Sequence, residues 1–145
     1  MTAEDEVQQA SDQFYTALNR FLNGGDRWLI AAAWSHSPEV TTLHPVGGRQ
    51  VGWPEVWRGW EHLYQLFSGG QISALDVVVC VLGDVAYTVG IERGEGTLGN
   101  QSVRFDYRVT HIYRREVGAW KLIHRHADAA PALQNVFSGL PPSPG

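Results

Sequence analysis

The run Gln101 to Tyr113, Q-S-V-R-F-D-Y-R-V-T-H-I-Y, spaces Arg104, Asp106 and Arg108 two residues apart. In a strand that spacing puts all three side chains on one face. If the face turns inward it lines a polar cavity, because charges in a dry core need partners. An arginine fork beside a carboxylate can hold a carboxylate or a developing enolate. Asp106 and Arg108, with Arg125 of the last strand, can equally form a structural ion pair, and both readings stay open. A second run, W-K-L-I-H-R-H-A-D from Trp120 to Asp128, carries His124, Arg125 and His126. H-x-H spacing turns both rings to one side of a strand, but Asp128 is the sole carboxylate or thiol beside them, so no metal site is expected. His44 precedes Pro45, which favours an extended backbone at the histidine. A half-solvated imidazole there would take or give a proton near neutral pH. Tyr15 and Asn19 lie one helical turn apart and can reach a common pocket.

The elements that must position these groups are legible from hydrophobic period and turn residues. Val7, Ala10, Phe14, Ala17, Leu18, Phe21 and Leu22 recur at helical spacing and predict a helix over about residues 3–23, stopped by Asn23-Gly24-Gly25. Asp26 reads as the N-cap of a short helix over 27–33. Val40 to Leu43 reads as a short strand and Pro45-Val46-Gly47-Gly48 as a turn. Pro54 opens a third helix, carrying Trp57 and Trp60, which Ser68-Gly69-Gly70 ends. Four strands follow, over about 72–82, 85–94, 101–113 and 120–128, with hairpin signals at Gly83-Asp84 and in R-R-E-V-G-A. The order α-α-β-(β)-α-β-β-β-β is an α+β layout, with helices against one face of a long curved antiparallel sheet. Residues 1–131 are expected to form a single domain and 132–145 a tail that is partly disordered, ending in Pro141-Pro142-Ser143-Pro144-Gly145.

The bulk composition excludes several classes. The 145 residues suit one domain with one core, and 43% hydrophobic with 18% charged residues is an ordinary globular mixture. A net charge of −4 argues against a nucleic-acid footprint and against an anionic membrane surface. No long apolar run and no leader are visible, so the default expectation is a cytoplasmic protein. The lone cysteine, Cys80, sits in an apolar run and reads as a small buried hydrophobe.

The segments L-N-G-G-D (22–26), A-A-W (32–34), H-P-V-G (44–47), G-D-V-A-Y-T-V-G (83–90) and G-A-W-K-L-I-H-R-H-A-D (118–128) resemble the nuclear transport factor two-like superfamily. That superfamily is the cone-shaped α+β fold of ketosteroid isomerase, scytalone dehydratase and SnoaL-like cyclases. The last segment is also similar to the ending of the calcium/calmodulin-dependent kinase association domain. The resemblance spans about residues 5–130 and implies three helices packed in a curved sheet around a pocket. Against ketosteroid isomerase, His44 takes the position of the general base, while Leu18 and the pair Thr110-His111 take the positions of the oxyanion donors. Leucine and threonine there imply no steroid-isomerase mechanism. The same alignment implies that Thr110 faces inward, with Arg104, Asp106, Arg108 and Ile112, and that Ile123, Arg125 and Ala127 do so on the last strand. Trp53 and Trp57 would flank the entrance. The opposite face, with Phe105, Tyr107, His111, Trp120, Leu122, His124 and His126, would pair with a second copy in a homodimer.

The resulting expectation is a small-molecule binding protein of SnoaL-like type. His44, Asp106 and Arg108 would be its chemical groups, and Tyr15, Asn19, Trp53, Trp57, Arg104, Thr110 and Arg125 its ligand contacts. No cofactor is implied. If the chain is an enzyme, its chemistry is isomerase- or lyase-like acid–base work on an anionic or carbonyl-bearing ligand. The alternative is a non-catalytic association domain acting as a homodimer.

Overall fold

The computed structural model describes residues 1–141. Helix α1 (Ala3–Leu22) begins in a capping box: the Thr2 hydroxyl accepts from the Asp5 N–H at 3.1 Å, and the Asp5 carboxylate accepts from the Thr2 N–H at 3.0 Å. Val7, Ser11, Phe14, Leu18 and Phe21 form its buried stripe. Helix α2 (Trp28–Ala33) starts where the Asp26 carboxylate accepts from the Trp28 N–H. Strand β1 (Thr41–His44) and strand β2 (Gly47–Val51) form a hairpin across Pro45-Val46, so the expected turn is partly strand. Helix α3 (Trp53–Leu66) passes directly into strand β3 (Phe67–Leu82). The Ser68-Gly69-Gly70 segment is therefore strand and not a helix stop. Strands β4 (Val85–Leu98), β5 (Gln101–Glu116) and β6 (Ala119–Asp128) complete a meander, and an exposed helix α4 (Pro131–Ser138) follows. The rest of the expected tail, residues 142–145, lies outside the described residues.

The six strands make one sheet in the order β2-β1-β6-β5-β4-β3. Every neighbouring pair is antiparallel except β1 and β6, which run parallel. The helices fill the concave side, where Phe14, Phe21, Trp34, Trp60, Tyr113 and Leu122 are core. The curvature needs close backbone approach at β4: a Cβ on Gly94 would collide with the carbonyl oxygen of Gln71 on β3. The β3 edge is covered in its first half by two asparagines, Asn19 in the last turns of α1 and Asn23 at its C-cap. Asn19 accepts from the Ile72 N–H at 2.8 Å and donates to the Ile72 carbonyl at 2.9 Å. Asn23 does the same for Gly70 at 3.3 and 2.8 Å. A helical period of four thus meets a strand period of two, and the open edge is satisfied without another strand.

The facing of β5 corrects the sequence expectation. Phe105, Tyr107, Val109, His111 and Tyr113 turn inward, and Arg104, Asp106, Arg108, Thr110 and Ile112 turn outward. Each aromatic or aliphatic side chain buried here stabilises by about 1.5–3 kcal/mol. Burying the three charges instead would cost several kcal/mol per ion unless all were paired. The aromatic face wins. On β6 a bulge changes the facing midway: Tyr113 pairs with Leu122, but Ile112 pairs with His124, skipping Ile123. Trp120 and Leu122 therefore face the core together with Arg125 and Ala127. A strict two-residue period had put Trp120 and Leu122 outside.

Candidate functional site

Strand β4 contributes the residue that organises the interior. Ala86, Thr88 and Glu92 are all buried on one face of the strand, and Glu92 is 0% exposed. From β6, Arg125 is 3% exposed and grips Glu92 with both terminal nitrogens, Nη1 to Oε2 at 2.6 Å and Nη2 to Oε1 at 2.9 Å. A bidentate fork is the geometry that can repay the desolvation of two buried ions. From α1, the Tyr15 hydroxyl donates to Glu92 Oε2 at 2.7 Å. From β5, His111 Nε2 accepts from Arg125 Nη1 at 2.9 Å. The rings of Phe14 and Trp60 lie against the guanidinium, with centroids 5.5 and 5.9 Å from its carbon.

The electrostatics follow from burial and this pairing. Burial alone would raise the Glu92 pKa, but the Arg125 guanidinium overrides it and holds the carboxylate below its ordinary value. Burial pushes the His111 ring down to about 3, with Arg125 adding to the effect, so it stays neutral. Tyr15 is raised by burial and by Glu92, which keeps its phenol protonated. The cluster is one anion and one cation, and its net charge is zero.

His44 stands beside this cluster. Thr42 is the register partner of Arg125 across the parallel β1–β6 junction, and His44 is two residues further along on the same buried side. Its ring meets Trp60 edge-on at 5.0 Å. Burial, and after it the Arg125 charge, lowers its pKa to about 4. The near-neutral value expected of this position is thus corrected: the imidazole is uncharged at neutral pH and serves first as a hydrogen-bonding group. His44 and Arg125 line a cavity of about 60 Å³ with Leu18, Phe21, Trp60 and Tyr107 among its walls. Three of the lining residues each carry a buried polar atom without a close hydrogen-bond partner among the described residues, His44 Nε2, Trp60 Nε1 and Arg125 Nε, with the Gln50 side chain lying beside His44. Orphaned buried polar atoms are uncommon and costly, so a cavity lined by three residues that each carry one is the candidate site.

The other residues singled out from sequence lie elsewhere. Asp106 pairs with Arg93 at 3.3 Å and Arg108 with Asp128 at 3.0 Å, all on the outer face. Arg104 and Thr110 share that face. Asn19 is committed to the β3 edge. Trp53 and Trp57 belong to a surface stack: His36 lies flat on Trp53 at 4.2 Å, Trp53 on Trp57 at 5.5 Å, and Trp57 beside Trp28 at 5.2 Å. His111, expected at an interface, is 1% exposed in the core. Cys80, expected in the core, is half-buried and free. Sequence reasoning passed over Glu92. The available signal was the alternation in Val85 to Glu92, whose small and polar residues share a face with that carboxylate. Among the described residues no group of three metal-ligating side chains converges, and no helix is long and apolar enough to cross a membrane.

Solved structures share this architecture. A candidate dehydratase of the NTF2-like family from Streptomyces avermitilis is 24% identical, with a TM-score of 0.75 over 87% of this chain and 95% of that one. An NTF2-like protein of unknown function from Pseudomonas putida KT2440 is 22% identical, with a TM-score of 0.74 over 88% and 87%. The CaMKII hub of S. rosetta is 18% identical, with a TM-score of 0.71 over 90% and 98%. At these identities the likeness shows the cone fold alone. No curated protein matches the chain. The family of the SnoaL-like domain matches residues 7–131, which carry every element from α1 residues onward through β6, and the chain belongs to that family.

Proposed function

We propose that the protein binds a compact carbonyl-bearing molecule in the inner cavity, with His44 as the group able to exchange a proton and Arg125 as the donor that steadies the carbonyl oxygen. The observation that carries this reading is that one cavity is lined by His44, Trp60 and Arg125, three residues that each hold a buried polar atom without a hydrogen-bond partner among the described residues. Trp60 and Arg125 are N–H donor residues of that lining, a type suited to an oxygen that gains negative charge. A base with a pKa near 4 is a weak proton acceptor, so binding comes first and proton transfer depends on the donors lowering the ligand's own barrier. Isomerase-, cyclase- or dehydratase-like chemistry fits this arrangement, and the candidate dehydratase among the similar structures is compatible with it. The test is a nuclear magnetic resonance screen of small carbonyl compounds read at the His44 ring nitrogens. Saturable shifts at His44 and at the Trp60 indole N–H are expected in the wild type, and those at Trp60 should be lost in His44→Phe. A screen in which no compound moves the His44 signals would end the reading.

The alternative, a homodimeric association domain, is favoured by a separate observation. Strand β4 turns its apolar alternates Val85, Tyr87, Val89 and Ile91 outward, beside Leu75, Val78 and Leu82 of β3. Apolar residues on the outer face and polar ones within reverse the usual order, which suits a sheet face covered by a second copy. The hub-domain likeness is compatible with such assembly. The two readings use opposite faces of the sheet and can both hold.

A further inference from the structure

We infer that helix α4 of each copy lays its apolar stripe in a hollow on the outer sheet face of a second copy, so that two chains exchange helices. This rests on the reading in which a second copy covers the outer face, and it goes further by naming the segment that fills it. Leu133, Val136, Phe137 and Leu140 recur at helical spacing and form one stripe. All four are between 56% and 72% exposed, and α4 has no buried residue. Isolated helices shorter than about 12 residues are marginal in water, and α4 has 8. Its stripe needs a surface to pack on, and its own chain does not cover it.

The outer face offers that surface. Strand β3 bulges after Leu75: Leu75 pairs with Ile91 and Val78 with Val89, which leaves Asp76 and Val77 opposite Gly90. A bulge bends its strand. A hollow of about 450 Å³ lies beside it, with Val89, Ile91, Arg108, Thr110, His126 and Asp128 among its walls. Most of its charges are already paired: Arg108 with Asp128 at 3.0 Å, and His126 with the same carboxylate at 3.3 Å. Asp76 stays exposed at the open edge. An uncharged occupant suits such a rim, because it strands no ion. Residues 129–140 contain no charged side chain. Only Ala129 and Ala130 join α4 to Asp128, so the helix leaves the sheet at the rim of the hollow. Each copy thus carries the same helix beside the same hollow, and a two-fold axis satisfies both pairs at once. Area points the same way. A standard interface hides about 800 Å² on each partner, whereas the largest apolar patch of an ordinary monomer covers about 300–600 Å². A sheet patch of that order falls short alone, and the four side chains of α4 supply further area.

The test is sedimentation of the full chain with two sets of variants. Leu133→Asp with Phe137→Asp changes only exposed positions, so its circular dichroism should keep the sheet signal. Its dimer should be at least about tenfold weaker than that of the wild type. If this variant stays as dimeric as the wild type while Val78→Lys with Tyr87→Lys is monomeric, the sheet face is an interface and the helix exchange is wrong. A wild type that is monomeric at every concentration would remove both. Cross-linking separates exchange from a helix folded back on its own sheet. In a Cys80→Ser background, a heavy-isotope chain with Gln134→Cys is mixed with an ordinary chain with Thr110→Cys, left to exchange partners and treated with a bis-maleimide. Gln134 flanks the stripe and Thr110 lines the hollow. A product of one heavy and one light chain is expected. Its absence would overturn the inference, as would a link formed mainly within single chains when both cysteines are placed in one chain.

Discussion

At the scale of single residues, the interior is governed by one ion pair and the histidines kept neutral around it. Glu92 and Arg125 satisfy each other, and the cost of hiding them is offset by four close polar contacts with Tyr15, His111 and each other. His44 and His111 are held neutral, with pKa values of about 4 and about 3, below the ordinary value near 6.5. The unfolded chain binds protons at these rings as pH falls below about 6.5, and the folded chain does not. Stability is therefore level above neutral pH and falls as pH drops from about 6.5 toward 4, by up to about 1.4 kcal/mol per pH unit for each ring. Glu92, with its folded pKa depressed, adds to the loss in the same direction once the unfolded carboxylate begins to protonate. Urea denaturation across that range should show the slope, and His44→Phe should flatten it by one ring's share. A stability independent of pH between 6.5 and 5 would contradict the buried neutral assignment.

At the scale of elements, each long strand has a local device that sets its course. Gly94 lets β3 and β4 approach where the sheet bends, and the bulge after Leu122 keeps both ends of β6 facing the core. The β5–β6 hairpin turns on Val117-Gly118, both with positive φ, 49° and 79°. Glycine suits that conformation; a β-branched residue does not. Val117 is also fully exposed and gains nothing from burial. Val117→Asn should stabilise the protein by about 1 kcal/mol, since Asn-Gly is the favoured pair for such a turn. Thermal unfolding checks this, and an unchanged or lower midpoint would mean that the turn carries no strain. The same hairpin was visible in the sequence as a turn signal, because Gly118 lies between two alternating runs. Its strained first residue was not, since valine is the opposite of a turn signature.

At the scale of the whole molecule, the outer face of β3 and β4 is the feature the isolated chain leaves unexplained. Val78 and Leu82 are about 60% exposed, and Tyr87 and Val89 flank them. If a second copy covers this face, Val78→Lys with Tyr87→Lys should yield monomers in sedimentation while the fold persists, because the same side chains are solvated in the monomer. An intact dimer in that variant, or a wild type that is monomeric at all accessible concentrations, would reject the interface. Tyr107→Glu is a different experiment, because Tyr107 packs inward against the core and its replacement would damage folding. Helix α4, after the last strand, adds a second exposed apolar stripe, Leu133, Val136 and Phe137.

The order of elements from α1 to β6 was legible in the chain, because helical period, turn residues and strand alternation are local properties, whereas the cone fold and the inward placing of His44 and Arg125 came from the resemblance to the nuclear transport factor two-like superfamily, and helix α4 was not foreseen. Local alternation says which residues share a face of β5 but not which face is wrapped by helices. That choice compares the burial of Phe105, Tyr107 and Tyr113 with the desolvation of Arg104, Asp106 and Arg108, and only the packed molecule makes the comparison. The partnership of Glu92 with Arg125 is likewise tertiary: the two lie 33 residues apart on strands that β5 separates. A side chain's charge is written in the sequence, whereas what neutralises it is decided by the neighbours that folding brings.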